Sequence, residues 1–249
     1  MKFKKTLRTL ILVLIIFFIW KIITILSQVP IYILPPPEAV LISLLENYEL
    51  IISNLFITLT EIILGLFLGV LLGSISAILV NSFETTRAWF LPIIIASQAI
   101  PVFTIAPLLV LWFGYGISSK IIMSTLIIYF PVAASFIDGL RQTNANLINL
   151  AKTISMHSKY KTLFILIHIQ IPSALPSLGS GIRIAAAVAP IGAIIGEWVG
   201  ASGGLGYLMI QSNARVQIDL MFAVLIVTAF LGIVLYFSID LILKKIIFW

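Results

Sequence analysis

Six apolar stretches, at about residues 7–26, 55–80, 91–113, 121–137, 178–199 and 220–243, dominate this chain. Each is close to the roughly 20 residues that a helix needs to cross a hydrocarbon core about 30 Å thick. In lipid every backbone donor and acceptor must be satisfied within the chain, so such stretches fold as helices. The expected fold is all-α, a polytopic membrane protein of six transmembrane helices. Composition agrees: 61% of the residues are hydrophobic and 10% charged, where a soluble domain carries about one quarter charged residues. No shift in composition marks a second domain, so residues 1–249 are read as one transmembrane unit.

Basic residues give the topology. With six spans and the N-terminus inside, one side collects Lys2, Lys4, Lys5, Arg8, Arg87, Arg141, Lys152, Lys159, Lys161, Lys244 and Lys245, with Arg183 near that end of the fifth span. Only Lys21, Lys120 and Arg215 fall toward the other. This asymmetry predicts that both termini and the loop at about 139–176 are cytoplasmic. The first stretch is long and no small-residue cleavage pattern follows it, so it is read as an uncleaved anchor.

Outside the first span, Pro35, Pro36 and Pro37 lead into Glu38, where a negative charge suits a first helical turn. Val40, Leu41, Leu44, Leu45 and Tyr48 recur at helical spacing and predict a short helix lying on the bilayer. Gly65, Gly69 and Gly73 form a small-residue ridge on the second span. The fifth span is richer still in Gly and Ala and is interrupted by Pro190. Charges within apolar surroundings are costly and often functional, and here they are Glu61, Asp138, Arg183, Glu197 and Asp240. Arg183 and Glu197 share a helix but stand about 21 Å apart at 1.5 Å per residue, so each needs its own partner. Asp138 and Arg183 are expected to form a structural ion pair. Glu197 is expected to contact Arg215 or Lys120, or to line a pathway.

Catalytic patterns are missing. There is no cysteine, no HExxH or GxSxG pattern and no GxxxxGK[ST] nucleotide loop, so neither a metal site nor a cofactor is expected. His157 and His168 lack a second ligand at metal-binding spacing. An energy-driven transporter of this kind would take its nucleotide site from another subunit.

The polar, basic stretch from Asn149 to Pro176 stands out among the spans. Leu147, Ile148, Leu150, Ala151 and Ile154 give a short helix an apolar face, flanked by Asn144, Asn146, Asn149 and Lys152. Here the sequence resembles the inner-membrane permease subunits of bacterial ABC importers, whose cytoplasmic loop carries Glu-Ala-Ala-x-x-x-Gly followed by an apolar-Pro step. Asn149-Leu-Ala-Lys-Thr-Ile-Ser155 occupies that register and Ile171-Pro172-Ser-Ala-Leu-Pro176 the later half. The chain departs from the pattern at Asn149, where Glu is favoured, and at Ser155, where Gly is favoured. The stretch 155–172 is also about four residues longer than usual, roughly one helical turn.

The resemblance extends over nearly the whole chain. Leu34-Pro-Pro-Pro-Glu-Ala-Val40, Gln98-Ala-Ile-Pro101, residues 106–116 and Gly196-Glu-Trp-Val-Gly-Ala-Ser-Gly-Gly-Leu-Gly206 are similar to the nitrate, sulfonate, taurine and thiamine-precursor branch. Residues 188–198 and 213–222 look most like permeases for pyrimidine precursors of thiamine. The resemblance implies a type I importer fold with a cytoplasmic coupling helix, in a bacterial inner membrane. It implies two permease copies, a cytoplasmic ATPase subunit and an extracytoplasmic binding protein that delivers the solute. Asn149, Leu150, Ala151, Ser155, His157, Lys159 and Pro172 would couple to the ATPase. Gln98, Phe103, Trp112, Glu197 and Trp198 would line the pathway, aromatic faces stacking a planar ring and amide or carboxylate groups accepting from an exocyclic amine. A secondary transporter would need paired inverted repeats, which are not visible. A passive scaffold would carry the same spans without an ATPase.

Overall fold

Among the residues that a computed structural model describes, 2–155 and 160–247, all regular structure is helical. Helix α1 spans Lys2–Ser27, α2 Pro37–Glu46, α3 Tyr48–Ser82, α4 Glu84–Ala99, α5 Val102–Phe113, α6 Ile117–Arg141 and α7 Ala145–Ile154. After these come α8 Lys161–Ile165, a π-helical turn Leu166–Gln170, α9 Ile171–Gly200, α10 Leu205–Ala214 and α11 Ile218–Ile246. Among the described residues, four helical stretches are long and apolar enough to cross a membrane: Tyr48–Ser82, Ile117–Arg141, Lys161–Gly200 and Ile218–Ile246. Ile11–Ser27 and Val102–Phe113 are apolar but shorter.

The stretch 91–113, expected as one span, is two helices. Pro101 has no N–H to continue the ladder, and Ile100 before it is extended at φ −84°, ψ 119°. The break therefore falls between α4 and α5. Helix α2 starts at Pro37 behind an extended Pro36, with Glu38 in its first turn. Val40 and Ser43 are buried, and α2 packs on α11, so part of its apolar face is covered by protein.

Glycines set the centre of the bundle. A Cβ on Gly65 would sit 2.5 Å from the Ser124 Cβ, one on Gly69 would overlap Ile128, and one on Gly73 would lie 3.0 Å from Val132. Equal steps along both helices mean that α3 and α6 run parallel at near backbone contact. Against α9 the steps reverse: Gly139 meets Ser177, Gly181 meets Ser135 and the Pro131 carbonyl, Gly192 meets Ser124, and Gly196 meets Lys120. Helix α9 is thus antiparallel to α6 in one unbroken register, and this is the most extensive helix–helix contact of the fold. Close approach substitutes dispersion contacts for a hydrophobic drive that lipid cannot supply.

That register corrects one expected pair. Asp138 lies level with about residue 178 of α9, five residues from Arg183 and on the exposed face of α6. Arg183 instead places Nε 2.8 Å from Asp240 Oδ1 on α11, whose Oδ2 accepts from Lys244 at 2.5 Å.

Candidate functional site

One turn along the ridge from Gly65 and Ser124 come Glu61 and Lys120, and Glu197 arrives at the same level from α9. All three are buried, as are Asn54 and Thr58 on α3. Charges in a membrane bundle need partners, and Lys120 finds its own on backbone. Lys120 Nζ donates to the Tyr115 carbonyl, to Gly116 O at 2.8 Å and to Gly200 O at 2.7 Å. Gly200 closes α9, so the ammonium sits at the negative end of that helix.

Glu197 works on the opposite kind of helix end. Its carboxylate accepts from Thr58 Oγ1 at 2.6 Å and from the Gly206 N–H in the first turn of α10. Thr58 Oγ1 in turn accepts from Leu205 N at 2.8 Å, and Asn54 Oδ1 from Gly204 N at 2.8 Å. Orphan donors at the start of α10 are thereby met by side chains from two other helices. Gly204 has φ +109°, and a Cβ there would overlap the Glu197 carboxylate. Glu61 reaches the Glu197 carboxyl, while its own Oε2 has no hydrogen-bond partner among the described residues. The polar level therefore welds α3, α6, α9 and the Ala201–Gly206 turn into one body.

Beside it opens a cavity of about 390 Å³ lined by Tyr115, Glu197, Trp198, Ser202, Tyr207 and Ile210, among others. Trp198 also edges an apolar groove of about 680 Å³ between α9 and α11. Of the five expected pathway residues, only Glu197 and Trp198 come together here. Phe103 and Trp112 lie exposed on α5 and line neither space, and the Gln98 side chain lies outside the described residues. Glu197 forms no ion pair with Lys120 or Arg215.

At the other end of the bundle, α7 starts at Asn144, whose side chain accepts from Asn146 N at 2.8 Å. Ala151 is 2% exposed and Ser155 is buried, its Oγ donating to Ala151 O at 2.6 Å. Helix α7 contacts α8 and the π-helical turn. Leu147, Leu150 and Ile154, at 44%, 59% and 69% exposed, form a stripe at helical spacing on the outer side. Asn149 is exposed beside it, and Pro172 stands in the first turn of α9. His157 and Lys159 lie outside the described residues. Sequence reading left Glu61 unassigned and took Lys120 as an outer topological charge and a possible contact of Glu197, not as a clamp on helix-end carbonyls. The signal for both was a charge next to the small-residue ridge.

Comparison with known proteins follows the same outline. The family model described as "Binding-protein-dependent transport system inner membrane component" matches residues 69–248. A probable ABC transporter permease protein of Haemophilus influenzae is 51% identical, over 98% of both chains. The formylaminopyrimidine transport permease protein ThiX of Halalkalibacterium halodurans is 37% identical, over 86% of this chain and 84% of that one. A crystal structure of an amino acid ABC transporter with histidines superposes with a TM-score of 0.60 at 20% identity, covering 83% of this chain and 96% of that one.

Proposed function

Since the chain belongs to the binding-protein-dependent transport system inner membrane component family, we propose that this ABC importer permease moves a small aminopyrimidine and is driven by a separate ATPase docked on α7. It is a multi-pass membrane subunit, and its relatives are permeases rather than enzymes. The observation that carries the docking reading is the division of α7. Ala151 and Ser155 bury one face, while Leu147, Leu150 and Ile154 leave an apolar stripe open on the other. A helix so held passes a push from a partner directly into the transmembrane rod Lys161–Gly200.

In this reading α7 and both termini are cytoplasmic, following the basic residues. The polar level of Glu61, Lys120 and Glu197 then lies toward the outer face, where a binding protein delivers solute. Two copies enclose the pathway, with α1 and α4–α5 completing six spans in each. Similarity to ThiX supports a formylaminopyrimidine-like solute, and the aromatic cavity of Tyr115, Trp198 and Tyr207 suits a planar ring.

The deciding experiment is uptake by cells that carry this permease with its ATPase and binding protein. Labelled formylaminopyrimidine is expected to accumulate, and excess taurine or nitrate to leave its uptake unchanged. Competition by taurine would move the assignment to sulfonates. Purification without an associated ATPase would count against the docking reading.

A further inference from the structure

The rod Lys161–Gly200 is helical throughout, but not uniformly so. At Leu166–Gln170 its ladder widens, and the Ile171 N–H donates to Leu166 O five residues back. A single π-helical turn holds one residue more than an α-turn, and such turns cluster at functional places. Pro172 supplies a local cause. It has no N–H for the ladder, and its ring crowds the carbonyl four residues earlier, that of His168, which a wider turn relieves.

Packing fixes the helix on both sides of this turn. Below it Ile165 is buried, the turn's own first residue Leu166 joins a core of Ala77, Val80, Phe136 and Ile137, and α7 contacts α8 and the turn itself. Above it, Ala174, Gly179 and Gly181 commit α9 to its neighbours. An α-helix advances about 100° per residue, so one residue too many between two such contacts would turn one of them away from its seat. The turn ends at Gln170, whose Oε1 accepts from Asn81 Nδ2 at the end of α3 across 3.2 Å.

We infer that the π-helical turn Leu166–Gln170 is a register element that absorbs one residue of chain, so that α7 and α9 keep one angular relation, and that Asn81 and Gln170 are positioning residues that hold this relation to α3. The inference rests on the reading of α7 as the ATPase-facing helix.

Two deletions of equal size separate the possibilities. Ile167 is exposed inside the turn and Ser173 is exposed in the regular helix just beyond it. The intact complex, with ATPase and binding protein, is reconstituted in vesicles, and ATP hydrolysed per formylaminopyrimidine transported is measured. Deletion of Ile167 converts the turn to α-helix without rotating its flanks and is expected to leave the ratio within about twofold of wild type. Deletion of Ser173 rotates the lower half by about 100° and is expected to raise the ratio at least about tenfold. Asn81→Ala is expected to raise it about threefold, and the exchange Asn81→Gln with Gln170→Asn to restore it, which a general loss of stability would not do. Uncoupling by the Ile167 deletion with the ATPase still bound overturns the inference, as does tolerance of the Ser173 deletion. A wild-type complex that retains no ATPase refutes the reading of α7 and this inference with it.

Discussion

Lys120 and Glu197 occupy one buried level of the bundle without bonding to each other: the ammonium is taken up by the carbonyl end of α9 and the carboxylate by the N–H end of α10. Each charge thus meets a helix dipole of the opposite sign. Removing either leaves buried backbone groups unpaired, which costs more than the hydrogen bond itself contributed. Lys120→Met removes the donor that meets the carbonyls of Tyr115 and Gly200, while Gly116 O keeps the Ser119 hydroxyl. It is expected to destabilise the folded protein by about 3 kcal/mol or more. Thr58→Val removes a smaller part of the network, about 1–2 kcal/mol. Thermal unfolding in detergent would check both, and equal midpoints for Lys120→Met and wild type would remove the structural role of this level.

The small-residue seam makes a sharper steric prediction. On Gly192 a Cβ would lie 2.7 Å from the Ser124 Cα, and on Gly181 2.6 Å from the Pro131 carbonyl. Backbone cannot rotate away as a side chain can, so Gly192→Ala and Gly181→Ala should each cost about 1–3 kcal/mol by overpacking. Gly116 has nothing within 4 Å of its Cβ position and an ordinary φ of −70°. Gly116→Ala should therefore be nearly neutral, and similar losses at all three positions would contradict the observed helix spacing.

Much of this architecture was legible in hydropathy and in the glycine ridges. Long apolar runs with Gly65, Gly69 and Gly73 at turn spacing have few alternatives to close helix pairs. The ion pair was not legible, because Asp138 and Asp240 were both within plausible reach of Arg183. Only the α6–α9 register, set by contacts such as Gly139 to Ser177, puts Asp138 on the wrong face. The hydrogen bonds of Glu197 were not legible for a related reason. Its partner Thr58 lies 139 residues away in sequence, and nothing local shows that a carboxylate will cap another helix. The single span expected at 91–113 ignored Pro101, whose effect on Ile100 is local and was readable.

The corrected pair can be tested directly. Asp240→Asn removes the charge that faces both Arg183 and Lys244, whereas Asp138 is exposed and forms no ion pair among the described residues. Asp240→Asn is expected to lower the unfolding midpoint and Asp138→Asn to leave it unchanged. The opposite order would restore the Asp138 assignment.

Acid should loosen the attachment of α1. Glu38 lies outside the spans, and its hydrogen bond to Lys21 holds its carboxyl below the usual value of 4.5. A group with a depressed folded pKa contributes stability above its unfolded pKa and loses that contribution as pH falls through the folded value. The pair is exposed, so the effect is small and salt-sensitive. Between pH 6 and pH 3 the wild type is expected to show a small acid-dependent fall in stability that Glu38→Gln lacks. An identical acid profile in the two proteins would dissociate this pair from α1 attachment.

The two faces of α7 predict two different failures. Leu150 and Ile154 project outward at 59% and 69% exposure, while Ala151, one residue from Leu150, is 2% exposed and packs inward. A charge on the open stripe meets water in the isolated subunit and would be desolvated only in a complex, so Leu150→Glu and Ile154→Glu should leave folding intact and weaken ATPase association about tenfold or more. Ala151→Glu instead forces a carboxylate into a buried position, and the subunit itself should fail to accumulate. Comparing membrane-inserted protein with co-purified ATPase for the three variants separates the outcomes. Full ATPase recovery with Leu150→Glu and Ile154→Glu combined would mean that the partner docks elsewhere on the chain.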